Sequence, residues 1–179
     1  MITIARVLIV PVVFWLLLSG STQAAFVLFV AAGASDAIDG YLAKRFGWQT
    51  ELGAYLDPLA DKLLVVSIFI ALGVRGDLPS WLVITVVSRD MLIVIAVVLS
   101  WVLGHPFRIE PLVVSKANTA AQLVLASTVL ADEGFNLGLD GFRQLLIWLT
   151  AGLTFASLAA YMRAWLRHMA GYQSGGPAA

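Results

Sequence analysis

Four aspartates, Asp36, Asp39, Asp57 and Asp61, sit close together in the sequence among apolar neighbours. Carboxylates are costly to hold near hydrocarbon, and acids kept in such a setting point to function. On a helix, the three-residue step between Asp36 and Asp39 sets their side chains about 60° apart, and the four-residue step between Asp57 and Asp61 about 40°. The link between the two pairs is short, so their helices are expected to be antiparallel neighbours with all four carboxylates converging at one depth. Four converging carboxylates cannot all stay ionised without cations, because like charges raise one another's proton affinity. Divalent metal resolves the conflict. An all-oxygen donor set suits Mg²⁺, Mn²⁺ or Ca²⁺ rather than zinc, and two metals bridged by carboxylates form the usual clamp for displacement at phosphorus. Gly40, Gly53 and Ala43 keep the surrounding helix surface low enough for a ligand or a second backbone to approach.

The elements that must carry these acids are membrane helices. The chain has 179 residues, of which 60% are hydrophobic and only 12% charged, and its mean hydropathy is +0.92. Soluble domains carry about 25% charged residues, so the composition is that of an integral membrane protein. A spanning helix needs about 20 mostly apolar residues. Six segments qualify: Ile2–Leu18, Ala24–Lys44, Leu52–Val74, Trp81–Leu103, Leu112–Ala131 and Phe142–Met162. The expected fold is therefore all-α and polytopic, a single six-helix transmembrane domain over residues 1–170 with a disordered tail over 171–179. The first segment also resembles a signal peptide; a retained first helix fits better, since every later segment is equally membrane-like.

Formal net charge is zero, which argues against a nucleic-acid partner. The absence of cysteine removes disulfides, thiolate metal sites and cysteine nucleophiles. No internal repeat marks an inverted-topology transporter, and His105 and His168 stand alone near predicted helix ends. Arg6, Lys44, Arg45, Arg108, Lys116, Arg163 and Arg167 collect on one side of the predicted topology, whereas Arg75 and Arg143 lie on the other with Asp77 and an acidic loop. Cytoplasmic loops are enriched in Lys and Arg, so both termini and the Asp-bearing end are expected to face the cytoplasm, in a bacterial inner membrane. Trp48, Trp81, Trp101 and Trp165 fall near predicted ends, as interfacial anchors do.

A local alternative exists for the acids. "SDAID" and "DPLAD" are also patterns of helix N-caps, the second with Pro58 at the first helical position. That assignment would cut two apolar runs below spanning length, so the acids are placed inside helices, with Pro58 as a kink.

Asp36-x-x-Asp39-Gly40-x-x-Ala43-Lys44, followed after eight residues by Gly53-x-x-x-Asp57-x-x-x-Asp61, resembles the signature of the CDP-alcohol phosphotransferases, which also have six membrane helices. The resemblance implies that Asp36, Asp39 and Asp57 ligate two divalent cations, Mg²⁺ or Mn²⁺, that Asp61 lies close to the metals and acts as general base, and that Gly40, Ala43, Lys44 and Gly53 line the CDP moiety. It further implies a homodimer, and attack by an alcohol on the lipid-side phosphorus of a CDP-linked lipid with loss of CMP. One position departs: the family usually has Arg where this chain has Lys44. Lysine meets a phosphate as a point charge rather than a fork, so altered nucleotide contact is expected.

Within the family, "ITIARVLIVPV" and "GAYLDPLADK" resemble both cardiolipin synthases of eukaryotic type and bacterial phosphatidylglycerophosphate synthases, while "SRDMLIV" and "VSKANTAAQLVLAS" resemble the former more. The expected substrates are thus CDP-diacylglycerol and phosphatidylglycerol, giving cardiolipin and CMP; the alternative acceptor is glycerol 3-phosphate. A proton or ion transporter using the acids as a relay is the reading from another class. Both acceptors bear a phosphate, so basic residues should hold it. Arg89, inside the fourth segment, is the first candidate, its alternative being an ion pair with Asp90 or one of the acids. Lys116, Arg108 and Arg6 follow, their alternatives being topology-setting charge and interfacial anchoring.

Overall fold

The computed structural model describes the backbone of residues 2–46, 51–102 and 113–173, and side-chain surroundings for 8–35, 62–95 and 113–163. Among these residues there are six helices: α1 (Ile2–Leu18), α2 (Thr22–Phe46), α3 (Glu51–Arg75), α4 (Ser80–Val102), α5 (Val113–Phe135) and α6 (Asp140–Gln173). The apolar runs thus fold as expected. Their ends are set by local chemistry that hydropathy does not report. Helix α5 continues past Ala131 through "DEGF" and stops at Asn136, whose φ of 52° is a left-handed conformation that asparagine tolerates better than most residues. Helix α6 opens on Asp140, an acid suited to the positive end of the helix dipole, and its backbone is helical to Gln173, into the stretch expected as tail; residues 174–179 lie outside the described set.

Short turns join α1 to α2, α3 to α4 and α5 to α6, so one end of the bundle gathers all three. Gly20 and Gly76 take φ of 82° and 84° there, values that cost glycine little. Arg75, at the C-terminus of α3, knits this end together: its Nε donates to Asp77 Oδ2 at 2.7 Å, and its Nη1 to the Leu17 carbonyl at 2.7 Å and Thr22 Oγ1 at 3.0 Å. Arg143 on α6 donates to Glu133 Oε1 at 2.9 Å and to the Asp77 carbonyl, and Gln23 Nε2 donates to the Gly134 carbonyl at 2.7 Å. Above these turns lies the apolar core, built from Val13 and Leu17 of α1, Phe29 of α2, Ile68, Phe69 and Leu72 of α3, Leu82 and Val86 of α4, Leu125 and Val129 of α5, and Ile147 of α6. A Cβ on Gly73 would come within 2.9 Å of Val83 Cγ2, so α3 and α4 meet closely at that point.

Over the described residues, α2 packs on α1 and α5, and α3 on α1, α4 and α5. α1 and α5 thus each contact both acid-bearing helices; the stretches nearest the α2–α3 link, where the direct contact is expected, have side chains outside the described residues. Asp140–Arg163 is long and apolar enough to cross a membrane, with a hydropathy of 1.7, and Leu8–Leu18 and Thr22–Ser35 are shorter apolar helical stretches. Large apolar side chains face outward on several helices, Trp15, Val27, Ile84, Trp148 and Phe155 among them.

Candidate functional site

The four aspartates lie inside helices, not at helix starts: Asp36 and Asp39 within α2, Asp57 and Asp61 within α3. The N-cap alternative is thereby excluded, since α3 begins at Glu51 and runs on through Pro58. The N-terminus of α2 and the C-terminus of α3 share the turn-bearing end, where Thr22 meets Arg75. At a rise of about 1.5 Å per residue, Asp36 and Asp61 each stand about 21 Å from that end, and Asp39 and Asp57 about 26 Å. The backbone register therefore brings both pairs to matched depth. Their side chains, with Gly40, Ala43, Lys44, Gly53, Arg6 and Arg108, lie outside the described residues. Among the described side chains, no group of three or more His, Asp or Glu gathers to hold a metal. The donor set itself fits two hard divalent cations: four carboxylates, no thiolate and no imidazole nearby in sequence.

Next to the acid-bearing segments the apolar core gives way to a polar layer. Arg89 on α4 is 1% exposed and Asp90 3%, so both charges are held away from solvent. Asp90 Oδ1 accepts from Arg89 Nη1 at 2.5 Å and from Lys62 Nζ of α3 at 3.1 Å. Arg89 Nη2 donates to Ser115 Oγ of α5 at 2.7 Å and to Ser157 Oγ of α6, while the Tyr161 ring centroid lies 5.6 Å from its Cζ, within cation–π range. Beside this cluster Thr154 Oγ1 bridges Asn118 Oδ1 at 2.9 Å and the Thr150 carbonyl at 2.7 Å. Asn118, Gln122, Thr150, Thr154 and Ser157 are all buried. Arg89 Nε, Asn118 Nδ2, Gln122 Nε2 and Thr150 Oγ1 have no partner among the described residues. Holding this many polar groups inside an apolar bundle is expensive, and such expense concentrates at functional sites.

Arg89 is thus the cation that the sequence singled out, and the structure gives it the Asp90 partner considered as its alternative. Lys116 is exposed and follows directly on Ser115 of that cluster. The reading of the sequence missed Lys62, Ser115, Asn118, Ser157 and Tyr161. A signal for them existed: Ser115, Asn118 and Gln122 on α5, and Thr150, Thr154, Ser157 and Tyr161 on α6, recur at three- and four-residue steps within apolar helices, the spacing of one helix face. At the opposite end, a hollow lined by Gly76, Asp77, Pro79, Asp140, Arg143, Gln144 and Ile147 is far from the acids.

The sequence profile of the CDP-alcohol phosphatidyltransferase family matches residues 1–156, and the chain belongs to that family. It is 34% identical over 179 residues to the rice chloroplastic CDP-diacylglycerol–glycerol-3-phosphate 3-phosphatidyltransferase 1, an alignment covering 90% of this chain and 54% of the relative. It is 32% identical over 177 residues to human cardiolipin synthase (CMP-forming), covering 90% and 59%. A probable phosphatidylglycerophosphate synthase of Mycobacterium tuberculosis is 36% identical over 96 residues, covering 50% and 46%. The chain thus spans somewhat more than half the length of the first two relatives and somewhat less than half of the third.

Proposed function

We propose that this chain is an integral membrane phosphatidyltransferase that moves the phosphatidyl group of CDP-diacylglycerol to the hydroxyl of a phosphate-bearing glycerol acceptor, releasing CMP. The observation that carries this reading is the full acid signature written on α2 and α3 at matched depth in a chain of this family. Asp36, Asp39 and Asp57 would hold two divalent cations, Mg²⁺ or Mn²⁺, with Asp61 beside them; when bound, these cations neutralise the diphosphate and the charge that accumulates on departing CMP. Gly40, Ala43, Lys44 and Gly53 line the nucleotide. Asp61 takes the proton of the acceptor hydroxyl as its oxygen bonds to the lipid-side phosphorus. The bond from that phosphorus to the CMP oxygen breaks, and its electron pair leaves with CMP.

The outward apolar side chains support immersion in a bilayer, which lets the lipid substrate enter sideways while its head group meets the acids. The flanking charges support a site on the cytoplasmic side of a bacterial inner membrane, with both termini on that side, and the resemblance supports a homodimer. Family membership favours transfer chemistry over an ion or proton relay.

Phosphatidylglycerol is the acceptor favoured by "SRDMLIV" and "VSKANTAAQLVLAS", and the human relative carries the name cardiolipin synthase. Glycerol 3-phosphate is the second reading, favoured by the names of the rice and mycobacterial relatives. The acceptor's phosphate would meet Lys116, Arg108 or Arg6. Arg89 would join them only by releasing Ser115 or Ser157. Purified protein supplied with CDP-diacylglycerol, Mg²⁺ or Mn²⁺ and each acceptor in turn separates the readings. Cardiolipin formed from phosphatidylglycerol is expected; phosphatidylglycerophosphate with no cardiolipin would select the second reading.

A further inference from the structure

We propose that Asp90, acting through Lys62, is a positioning residue for the reaction, a proposal that rests on the assignment of Asp61 as proton acceptor. The apolar packing between α3 and α4 ends at Leu64 and Val86. The next step toward the acid-bearing end is ionic: Lys62 on α3, the residue after Asp61, donates to Asp90 on α4 at 3.1 Å. Among the described residues this is the one salt bridge that joins α3 to another helix. It stands about 20 Å from the C-terminus of α3, 13 residues along the helix, so the α3–α4 turn exerts little control over it.

Asp90 is itself firmly held. Its Oδ1 also receives Arg89 Nη1 at 2.5 Å, and Arg89 is anchored to Ser115 of α5, Ser157 of α6 and the Tyr161 ring. The Lys62 contact therefore fastens the helix turn that carries Asp61 to three other helices at once. The Arg89 and Asp90 side chains are 1% and 5% exposed and that of Lys62 33%, so the rigid part is the Arg89–Asp90 pair and the Lys62 arm is what it holds. Proton transfer from a bound alcohol requires heavy atoms within about 3 Å, and a misplacement of about 1 Å costs on the order of 100-fold in rate. A tie one residue from the proton acceptor has that leverage without touching substrate.

The test uses the purified full chain in lipid vesicles, with CMP release followed at varied CDP-diacylglycerol and acceptor. Lys62→Met leaves the Arg89–Asp90 pair intact and so preserves the fold. It should lower kcat roughly 10- to 100-fold while both KM values stay within about twofold, the signature of a lost transition-state contribution. Lys62→Arg should restore most of kcat. Because the two residues act through one contact, Lys62→Met combined with Asp90→Asn should be no worse than the poorer single variant. Undiminished kcat in Lys62→Met, additive losses in the double variant, or a raised acceptor KM at constant kcat would each overturn the proposal, the last by making Lys62 a direct phosphate contact. A wild-type chain that releases no CMP would overturn the transferase reading itself, a result distinct from these.

Discussion

The two ends of the bundle solve opposite problems. At the turn-bearing end, charge serves cohesion: Arg75 and Arg143 spend their donors on carbonyls, on Thr22 and on nearby acids, and the core above them is apolar. Toward the other end charge is buried deeper: Arg89 and Asp90 are almost fully enclosed, and two cations share one oxygen of Asp90. A protein selected for stability alone would fill that layer with Leu and Ile, since buried ion pairs are often no better than apolar packing. The contrast teaches that the first end holds the helices together, whereas the second keeps a costly polar environment beside four aspartates.

Substitutions at the two ends should therefore separate activity from stability. The largest effect is expected at the acids. Asp39→Ala should abolish metal-dependent binding of CDP-diacylglycerol, read by isothermal titration in detergent, with little change in thermal unfolding. Asp61→Asn should retain metal binding but lose on the order of 100- to 10,000-fold in turnover. In the polar layer both properties should fall: Arg89→Met should cost about 3 kcal/mol of stability, near the low end for a broken buried pair because Asp90 keeps Lys62, and should lower kcat as well. Leu125→Ala, in the apolar core, should cost about 2–5 kcal/mol in denaturant unfolding while kcat per folded molecule is unchanged. Gln23→Ala, at the turn-bearing end, should cost about 1 kcal/mol and leave activity intact. A core variant that lost turnover without losing stability would blur the division.

Much of this was legible in the sequence. The first helix follows the predicted bounds, and the others differ only at their ends, because long apolar runs interrupted by Gly, Pro and charged clusters leave few choices. The acid signature was legible because its residue types and helical spacing are both fixed. What stayed hidden is non-local. Nothing in "SRD" says that Asp90 reaches back to Lys62, or that Arg89 finds Ser115 and Ser157, because those partners depend on how four helices stack. Arg75 read as a flanking charge and proved to join three helix ends, for the same reason. The α2–α3 neighbour relation, inferred from the short link, falls on segments whose side-chain surroundings lie outside the described residues; over the remainder α1 and α5 each contact both helices.

The most direct measurement is CMP release from CDP-diacylglycerol as Mn²⁺ is titrated into chelator-treated protein, comparing wild type with Asp61→Asn. The account predicts saturable, metal-dependent release by wild type, and an Asp61→Asn variant with a similar metal midpoint and a collapsed maximal rate. Release that persists without divalent metal, or an Asp61→Asn variant that turns over normally, would contradict it.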